Sequence, residues 1–137
     1  MAVKKKKKAI SLAKVKGKVQ TVVNAYIRHR DSKDGFFTCI SCQKTLEVSK
    51  MQAGHYIPVS KSQFLRFNEE NIHGECIGCN AFSEYHLIPY RRNLIEKIGS
   101  DTVHWLENHA NDTHKHTREE LESIKQYYVE LLAGAKE

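Results

Sequence analysis

The amino-acid sequence predicts an α+β domain in which short strands carry two cysteine pairs and helices flank them on both sides. Three observations predict this class. Apolar residues recur at helical spacing near both ends of the chain, a β-prone segment leads into one Cys-x-x-Cys pair, and a short predicted strand leads into a second. With 137 residues, the chain (1–137) is predicted to form a single domain.

The first helix is predicted over residues 10–30, because apolar side chains recur three or four positions apart. They are Val15, Val19, Val22, Val23, Tyr26 and Ile27. The other face carries Lys14, Lys18 and Arg28. We therefore expect one face to pack and the other to meet phosphates. The polar segment 30–35, which ends in glycine, should end this helix, and residues 1–9 before it are predicted to be a flexible basic tail.

The core is predicted over residues 36–98. FFTCISC (36–42) is β-prone and ends in a cysteine knuckle. MQAGHYI (51–57) and NIHGEC (71–76) are predicted to be two short strands joined by a loop. A helix is predicted to start at the second knuckle and to run from 79 to 86.

The C-terminal part, residues 100–132, is predicted to be helical, after a helix over 89–98 that starts at Pro89 and that Gly99 ends. Asp101 is expected to cap a short helix that runs through Trp105 to about His109. Thr117 and Glu120 form a capping box for the last helix. Its buried stripe is predicted to be Leu121, Ile124, Tyr128 and Leu131.

The positive charge is concentrated at one end of the chain. Ten of the 22 Lys and Arg residues, and none of the 16 acidic residues, lie in residues 1–30, although the net charge of the whole chain is +6. A basic arm on a mildly acidic body is suited to a polyanion, and nucleic acid is the first choice. The alternative is a solvated lysine tail.

The sequence has no apolar run near ~18 residues and no apolar segment behind Lys4–Lys8. It therefore predicts neither a membrane span nor a secretory signal. We expect a cytoplasmic protein in a reducing compartment, where cysteines serve as metal ligands more often than as disulfides.

The four cysteines Cys39, Cys42, Cys76 and Cys79 form the pattern C-x2-C-x33-C-x2-C. Two such pairs place four thiolates around one ion, so the pattern predicts a structural Zn²⁺ site. Such a closed site would stabilise a small core but would not perform chemistry. A redox Cys-x-x-Cys pair and buried free thiols are the alternatives.

Within this frame lie His55, Asn71, His73 and Asn80, in the order strand, loop, strand, knuckle, helix. This order resembles the ββα-metal (HNH) nuclease module. The resemblance implies that His55 is the general base, that Asn71 holds the loop that orients it, and that Asn80 is a ligand of a catalytic Mg²⁺ or Mn²⁺. His73 is included among the predicted catalytic residues. An imidazole is suited to the base because its pKa lies near neutrality.

One position departs from the HNH pattern. Many HNH proteins have an aspartate ligand directly before the base, where this chain has Gly54. The candidates to replace this carboxylate are His73, Glu75, Glu84 and His86, and the sequence does not choose among them.

The chain also resembles the NinG/Rap recombination proteins of lambda-like phages, from about residue 10 to 132. The matching segments are NAYIRHRD (24–31), CISC (39–42), AGHY (53–56), LRFNEENIHGEC (65–76), CN (79–80), LIPYR (87–91), LIEKIG (94–99) and HTREELESIKQYY (116–128). The resemblance implies a structure-selective endonuclease that cuts Holliday junctions and D-loops in a bacterial host. Relatives have a histidine where this chain has Phe82, so His86 is predicted to replace it as a metal ligand.

Branched DNA is the expected partner. The predicted phosphate-binding residues are Lys14, Lys18, Arg28, Arg30, Arg66, Arg91 and Arg92. Two symmetric cuts in a junction favour a homodimer. Tyr127, Tyr128, Leu131 and Leu132 could form its interface or close the monomer core. A catalytically silent zinc module that binds DNA, and an HNH enzyme with a sequence-specific target, are the alternatives.

Overall fold

The computed structural model describes residues 9–135. The predicted basic tail therefore lies, except for Ala9, outside the described residues. Five helices occupy much of the described chain: α1 (Leu12–Asp31), α2 (Ile77–Phe82), α3 (Leu87–Ile98), α4 (Ser100–Asn108) and α5 (Arg118–Ala135). Five short strands lie between α1 and α2, so the predicted mixture of helices and strands is confirmed.

Helix α1 begins after Ser11, whose side chain accepts a hydrogen bond from the backbone N–H of Lys14. Its fully buried residues are Val15, Val19, Val23 and Ile27. Val22 and Tyr26 are only partly buried, because the residues that face the core are spaced four positions apart and these two lie beside that row. Helix α5 covers this face with Leu121 and Tyr128. The predicted packing of one face of the first helix is confirmed.

The strands form two separate sheets. One is a small antiparallel sheet of three strands: β1 (Ser32–Lys33), β2 (Phe36–Thr38) and β3 (Thr45–Glu47). The first knuckle lies between β2 and β3. Strands β4 (Met51–His55) and β5 (Ile72–Cys76) make an antiparallel ribbon. In its register, Gly54 lies opposite His73. Both strands of the ribbon are shorter than predicted, and residues 69–71 form a 3-10 turn instead.

The helix bounds correct three predictions. Helix α2 starts at Ile77 and ends at Phe82, so the segment before His86 is not helical. Helix α3 starts at Leu87, two residues before the predicted start at Pro89, whereas its end at Ile98 is as predicted, and Gly99 after it has a φ of +90°, which favours glycine. Helix α4 starts at Ser100, which leaves Asp101 in the first turn instead of at the cap.

Only one half of the predicted capping box of α5 forms. The hydroxyl of Thr117 accepts a hydrogen bond from the backbone N–H of Glu120, as expected. The carboxylate of Glu120, however, contacts the ring of His114 instead of reaching back to the N-terminus of the helix.

A second core cluster joins α3 and α4 to the segment that follows β4. Tyr90, Leu94, Val103 and Leu106 are its buried helical members, and Leu65 is buried among them. Because the backbone after β4 packs here, helix α3 is held against the end of the ribbon. No helix in residues 9–135 is long and apolar enough to cross a membrane.

Candidate metal and catalytic site

The four cysteines come together as predicted. Their sulfur atoms all lie within 4.8 Å of one another, and the Sγ atoms of Cys42 and Cys76 are 3.8 Å apart. A tetrahedral ion with Zn–S bonds of about 2.3 Å requires sulfur atoms about 3.8 Å apart. The geometry of the donor set therefore fits a metal ion such as Zn²⁺.

The surroundings of the sulfur atoms also fit a cation. The Sγ of Cys39 accepts backbone N–H groups from Cys42 and Cys76, at 3.5 and 3.3 Å. Burial raises the pKa of the Cys39 and Cys79 thiols, so their thiolate forms need a positive partner. A bound ion would supply this charge and would link the two knuckles.

The first knuckle is tied to the ribbon and to α3. The backbone N–H of Ile40 donates to the carbonyl of Gly74 at 3.0 Å, and the Asn93 side chain donates to the carbonyl of Ile40 at 2.7 Å. Ser41, inside the knuckle, donates its hydroxyl to Oε2 of Glu75. The cysteine cluster therefore fixes the position of the Glu75 carboxylate.

Glu75 occupies the space beside Gly54 where the sequence lacks a carboxylate. A β-carbon at residue 54 would lie 2.3 Å from Oε1 of Glu75 and 3.3 Å from Oδ1 of Asn80, so a larger residue does not fit unless Glu75 moves. Glu75 is fully buried, and its Oε1 has no hydrogen-bond partner among the described residues. A buried carboxylate oxygen without a partner is costly, and a bound cation would remove this cost.

Two of the predicted metal ligands lie at this carboxylate. Nδ1 of His86, which precedes the first residue of α3, is 2.6 Å from Oε2 of Glu75. Asn80 donates its amide N–H to Oε1 of Gln52 at 2.8 Å, so its Oδ1 is left to face the space beside Gly54. Glu75, Asn80 and His86 thus form a cluster of oxygen and nitrogen donors, which we call the carboxylate site.

His55 ends strand β4, directly after Gly54. Its Nε2 lies 2.8 Å from the carbonyl oxygen of Arg66. Because a carbonyl can only accept, Nε2 must carry the proton, and Nδ1 has the free lone pair. Burial lowers the pKa of His55, and the charge of Arg66 adds to this, so the ring is neutral near pH 7. A neutral, half-buried imidazole with an unused Nδ1 is able to accept a proton.

Asn71 is completely buried and ties the end of β4 to the segment that follows it. Its side-chain oxygen accepts the N–H of Ile57 at 2.9 Å, and its amide donates to the carbonyl of Ile57 at 3.0 Å. Its own carbonyl accepts the N–H of Tyr56 at 2.8 Å. These bonds hold the backbone directly after His55.

His73 lies apart from this chemistry. Its side chain is buried, its Nε2 donates to the carbonyl of Glu70 at 2.7 Å, and its Nδ1 faces Lys97 at 2.8 Å and Arg30 at 3.1 Å. Burial, reinforced by Lys97, lowers the pKa of His73 to about 3. Because both ring nitrogens are engaged inside the protein, the geometry does not favour the predicted catalytic role.

Arg30 is mostly buried and bonded within the protein, so the geometry does not favour its predicted role as a phosphate ligand. It donates to the Asp31 carboxylate at 2.7 Å and to the carbonyls of Glu69 and Ile72 at 2.7 and 2.6 Å. Its donors are therefore already in use. Burial alone would raise the pKa of Asp31, but the bonds from Arg30 and the charge of Lys97 hold it at about 2.

The other predicted phosphate-binding residues differ in how free they are. Arg91 is paired with both carboxylate oxygens of Glu107, at 2.7 and 3.0 Å. Arg66 donates to Gln20 at 3.1 Å and lies over the Phe67 ring. Exposed members of the set are Lys14, Lys18, Arg28 and Arg92, of which Arg28 also donates to the carbonyl of Met51.

The sequence alone does not distinguish Glu75 from the three other candidates. The available signal was the strand register: Glu75 stands in the same ribbon as Gly54, directly before a cysteine ligand. Only the pairing of β4 with β5 brings its side chain to Gly54.

The fold and the site define a small mixed α/β protein with a cluster of four cysteines that could bind a metal ion. The chain belongs to the NinG family, because the family model described as "Bacteriophage Lambda NinG protein" matches residues 1–137. This confirms the resemblance stated above.

Individual relatives agree with this assignment. The chain is 42% identical over 113 residues to protein ninG of Escherichia phage lambda. This alignment covers 82% of this chain and 53% of that protein. The chain is 40% identical over 118 residues to protein ninG of Salmonella phage P22, which covers 86% and 56%, respectively. The chain thus spans about half the length of these curated relatives. No solved structure matches.

Proposed function

We propose that the chain is a metal-dependent DNA endonuclease with an HNH-like strand–strand–helix module. The observation that carries the proposal is the buried, unpartnered Oε1 of Glu75, which faces the same space as Oδ1 of Asn80. With His86 beside them, these atoms are suitable donors for Mg²⁺ or Mn²⁺. The order β4, β5, α2 agrees with an HNH-like module.

His55 is the proposed general base. Its Nδ1 takes a proton from a water molecule, and the water oxygen attacks the phosphorus of a phosphodiester while the bond to the leaving oxygen breaks. The carbonyl of Arg66 holds the ring by its Nε2–H, and Asn71 holds the backbone on the far side of His55. A cation at the carboxylate site would supply positive charge to the leaving oxygen.

The proposed substrate is branched DNA, such as a Holliday junction or a D-loop. Lys14, Lys18 and Arg92 are exposed and would neutralise phosphates without reading sequence. Phe82 and Tyr85, in the segment that precedes His86, are 81% and 69% exposed. Unpaired bases stack on exposed aromatic rings, and the displaced strand of a D-loop supplies such bases whereas a linear duplex does not.

A homodimer would place two cuts symmetrically on a junction. Of the four residues considered for its interface, Tyr128 is buried against α1, while Tyr127 is 55% exposed. We therefore propose the exposed side of α5, with Tyr127, as the contact between copies.

The second candidate is a catalytically silent DNA-binding protein. The contact between His86 and Glu75 favours it, since an N–H donated by Nδ1 of His86 would satisfy Oε2 of this carboxylate without any ion. The two candidates differ in a single measurable property, cleavage.

The experiment compares purified wild-type protein with His55→Ala on a synthetic four-way junction and on a linear duplex of matched sequence, with Mg²⁺ or Mn²⁺. We expect junction cleavage by wild type and a loss of at least about 100-fold in His55→Ala, because removing a general base typically costs 10²–10⁴-fold. His104→Ala, which changes an exposed histidine of α4, is the matched control and should cleave normally.

The pH dependence of cleavage gives an independent check. Since burial lowers the pKa of His55 below 6.5, its neutral form dominates at neutral pH. Cleavage should therefore rise with pH below 6.5 and already be level near pH 7. Binding without cleavage by wild type would favour the silent candidate, and equal cleavage by His55→Ala would remove His55 from the mechanism.

A further inference from the structure

A second group of metal-ligating side chains lies at the start of α5, outside the site described above. His114 and His116 come from the segment between α4 and α5, and Glu120 comes from the first turn of α5. Nε2 of His114 is 2.6 Å from Oε2 of Glu120, and Nδ1 of His116 is 3.8 Å from the same oxygen. All three donor atoms lie within 4.8 Å of one another.

The independent observation is the state of the His116 ring. His116 is 6% exposed, and its Nδ1 is buried without a hydrogen-bond partner among the described residues. Its Nε2 lies 2.9 Å from the carbonyl oxygen of Gln63 and therefore carries the ring proton. The ring is thus held by a backbone carbonyl with a bare lone pair directed at the other two donors, which is the usual arrangement of a histidine that binds a metal.

We propose that His114, His116 and Glu120 bind a transition-metal ion, of which Zn²⁺ is the representative. Two imidazole nitrogens and one carboxylate oxygen are the donors that such ions accept, whereas Mg²⁺ prefers oxygen alone. Bonds of about 2.0–2.1 Å in a tetrahedral site separate donor atoms by about 3.3 Å. The observed separations of 2.6 and 3.8 Å lie on either side of this value.

The exposure of the donors defines the kind of site. The side chains of His114 and Glu120 are 36% and 41% exposed, so the fourth position of the ion is open to water. The ion would therefore be held by three protein ligands on one side, unlike the closed four-sulfur cluster.

The site would join three segments. Through His116, the ion would be linked to Gln63, whose side chain also accepts a hydrogen bond from Lys16 of α1. The Phe67 ring packs against His116, with centroids 5.1 Å apart. Residues 63–67 include Arg66, whose carbonyl binds His55, so the ion would stabilise the segment that holds this histidine. The metal site itself does not depend on the proposed nuclease activity.

The experiment measures zinc bound to the full chain by equilibrium dialysis followed by elemental analysis. With Glu75→Gln as the background, so that the carboxylate site is removed, the chain is expected to bind two zinc ions, one at the cysteine cluster and one here. His114→Ala and Glu120→Gln, which change exposed side chains and should leave the fold intact, are expected to weaken the second ion at least about tenfold. His109→Ala is the matched control, because His109 also contacts a carboxylate, that of Asp112, but has no third donor.

Nuclear magnetic resonance of the imidazole nitrogens identifies the ligand atom directly. On addition of zinc, the Nδ1 signal of His116 should shift to the value of a metal-bound nitrogen in wild type and in His109→Ala, and should not shift in His114→Ala. A single ion per chain in the Glu75→Gln background, an unchanged second ion in Glu120→Gln, or an unchanged His116 signal on zinc addition would each overturn the proposal.

Discussion

The cysteine cluster and the carboxylate site use the same two segments of the chain but differ in how completely their donors are satisfied. Glu75 precedes Cys76 in β5, and Asn80 follows Cys79 in α2. The four sulfurs of the cluster are placed so that one ion could bind all of them. The carboxylate site has three donors, and one of its oxygens is buried without a hydrogen-bond partner in residues 9–135. Neighbouring residues can thus serve structure and chemistry separately.

The difference has a physical cause in the direction of the side chains. Consecutive residues of a strand point to opposite faces, so Cys76 and Glu75 cannot serve the same ion. Ser41 connects the two sites, because it belongs to the first knuckle and donates to Glu75. Changes in the cysteine cluster are therefore expected to alter the stability of the fold. Changes in the carboxylate site are expected to alter the proposed DNA cleavage.

The largest effect is expected when the cluster is broken. Cys76→Ser removes a thiolate and should abolish cooperative folding, because a structural zinc site contributes its binding free energy, on the order of 10 kcal/mol, to folding. Circular dichroism during heating is the measurement. A strong chelator should have the same effect on wild type, and zinc should reverse it.

Ser83→Ala, an exposed change next to α2, is the control for this experiment and should melt as wild type does. If Cys76→Ser and the chelated wild type both unfolded at the normal temperature, the cluster would not be a structural metal site.

The variant Glu75→Gln distinguishes the carboxylate site from the cysteine cluster most clearly. The amide keeps the shape of the side chain but lacks the charge that a divalent cation requires, so we predict a loss of cleavage of at least about 100-fold. The melting curve should remain cooperative, in contrast to that of Cys76→Ser. Junction cleavage over a range of Mg²⁺ concentrations is the measurement.

The matched control is Glu84→Gln, which changes an exposed glutamate of the nearby segment 83–86. It should leave cleavage unchanged. Normal cleavage by Glu75→Gln would show that the carboxylate site has no part in the reaction.

A smaller effect is expected outside both sites, at Asp31, whose carboxylate accepts the N–H of Gly74 at 2.8 Å. Its pKa of about 2, against an ordinary 3.8, contributes about 2 kcal/mol of stability above pH 4, and this contribution is lost as the pH falls through 2. Asp31→Asn should therefore be less stable at pH 7 by about this amount, and the difference should shrink between pH 4 and 2.

Denaturant unfolding at several pH values measures this effect, with the exposed Asp101→Asn as the control. A difference between Asp31→Asn and wild type that did not change between pH 7 and pH 2 would contradict the assigned pKa.

The smallest effect is expected for the exposed lysines of α1. Replacing Lys14 and Lys18 by Gln should weaken binding of every DNA form by a few fold and reduce the slope of log affinity against log salt by about 1.8. Cleavage of bound DNA should be unchanged. Fluorescence anisotropy at several salt concentrations is the measurement, and an unchanged salt slope would exclude these lysines from the interface.

Much of the fold could be predicted because its signals are local. The apolar spacing in residues 10–30, the knuckles at Cys39 and Cys76, and the glycine that ends α3 each act within one or two turns of chain. Boundaries were less accurate where the tertiary structure decides them. For example, helix α2 ends at Phe82. The capping box of α5 forms only in part, because the Glu120 carboxylate contacts His114 instead of the N-terminus of the helix.

Spacing along the chain was sufficient to recognise the family, the cysteine pattern and the candidates His55, Asn71 and Asn80. The folded structure was needed to show which carboxylate stands beside Gly54 and which basic residues are free. The folded structure also distinguishes His55 from His73, the two histidines of the paired strands. Nδ1 of His55 is unused, whereas Nδ1 of His73 faces the cations Lys97 and Arg30. Strand pairing and burial depend on contacts between distant residues, and these are not encoded in any short segment.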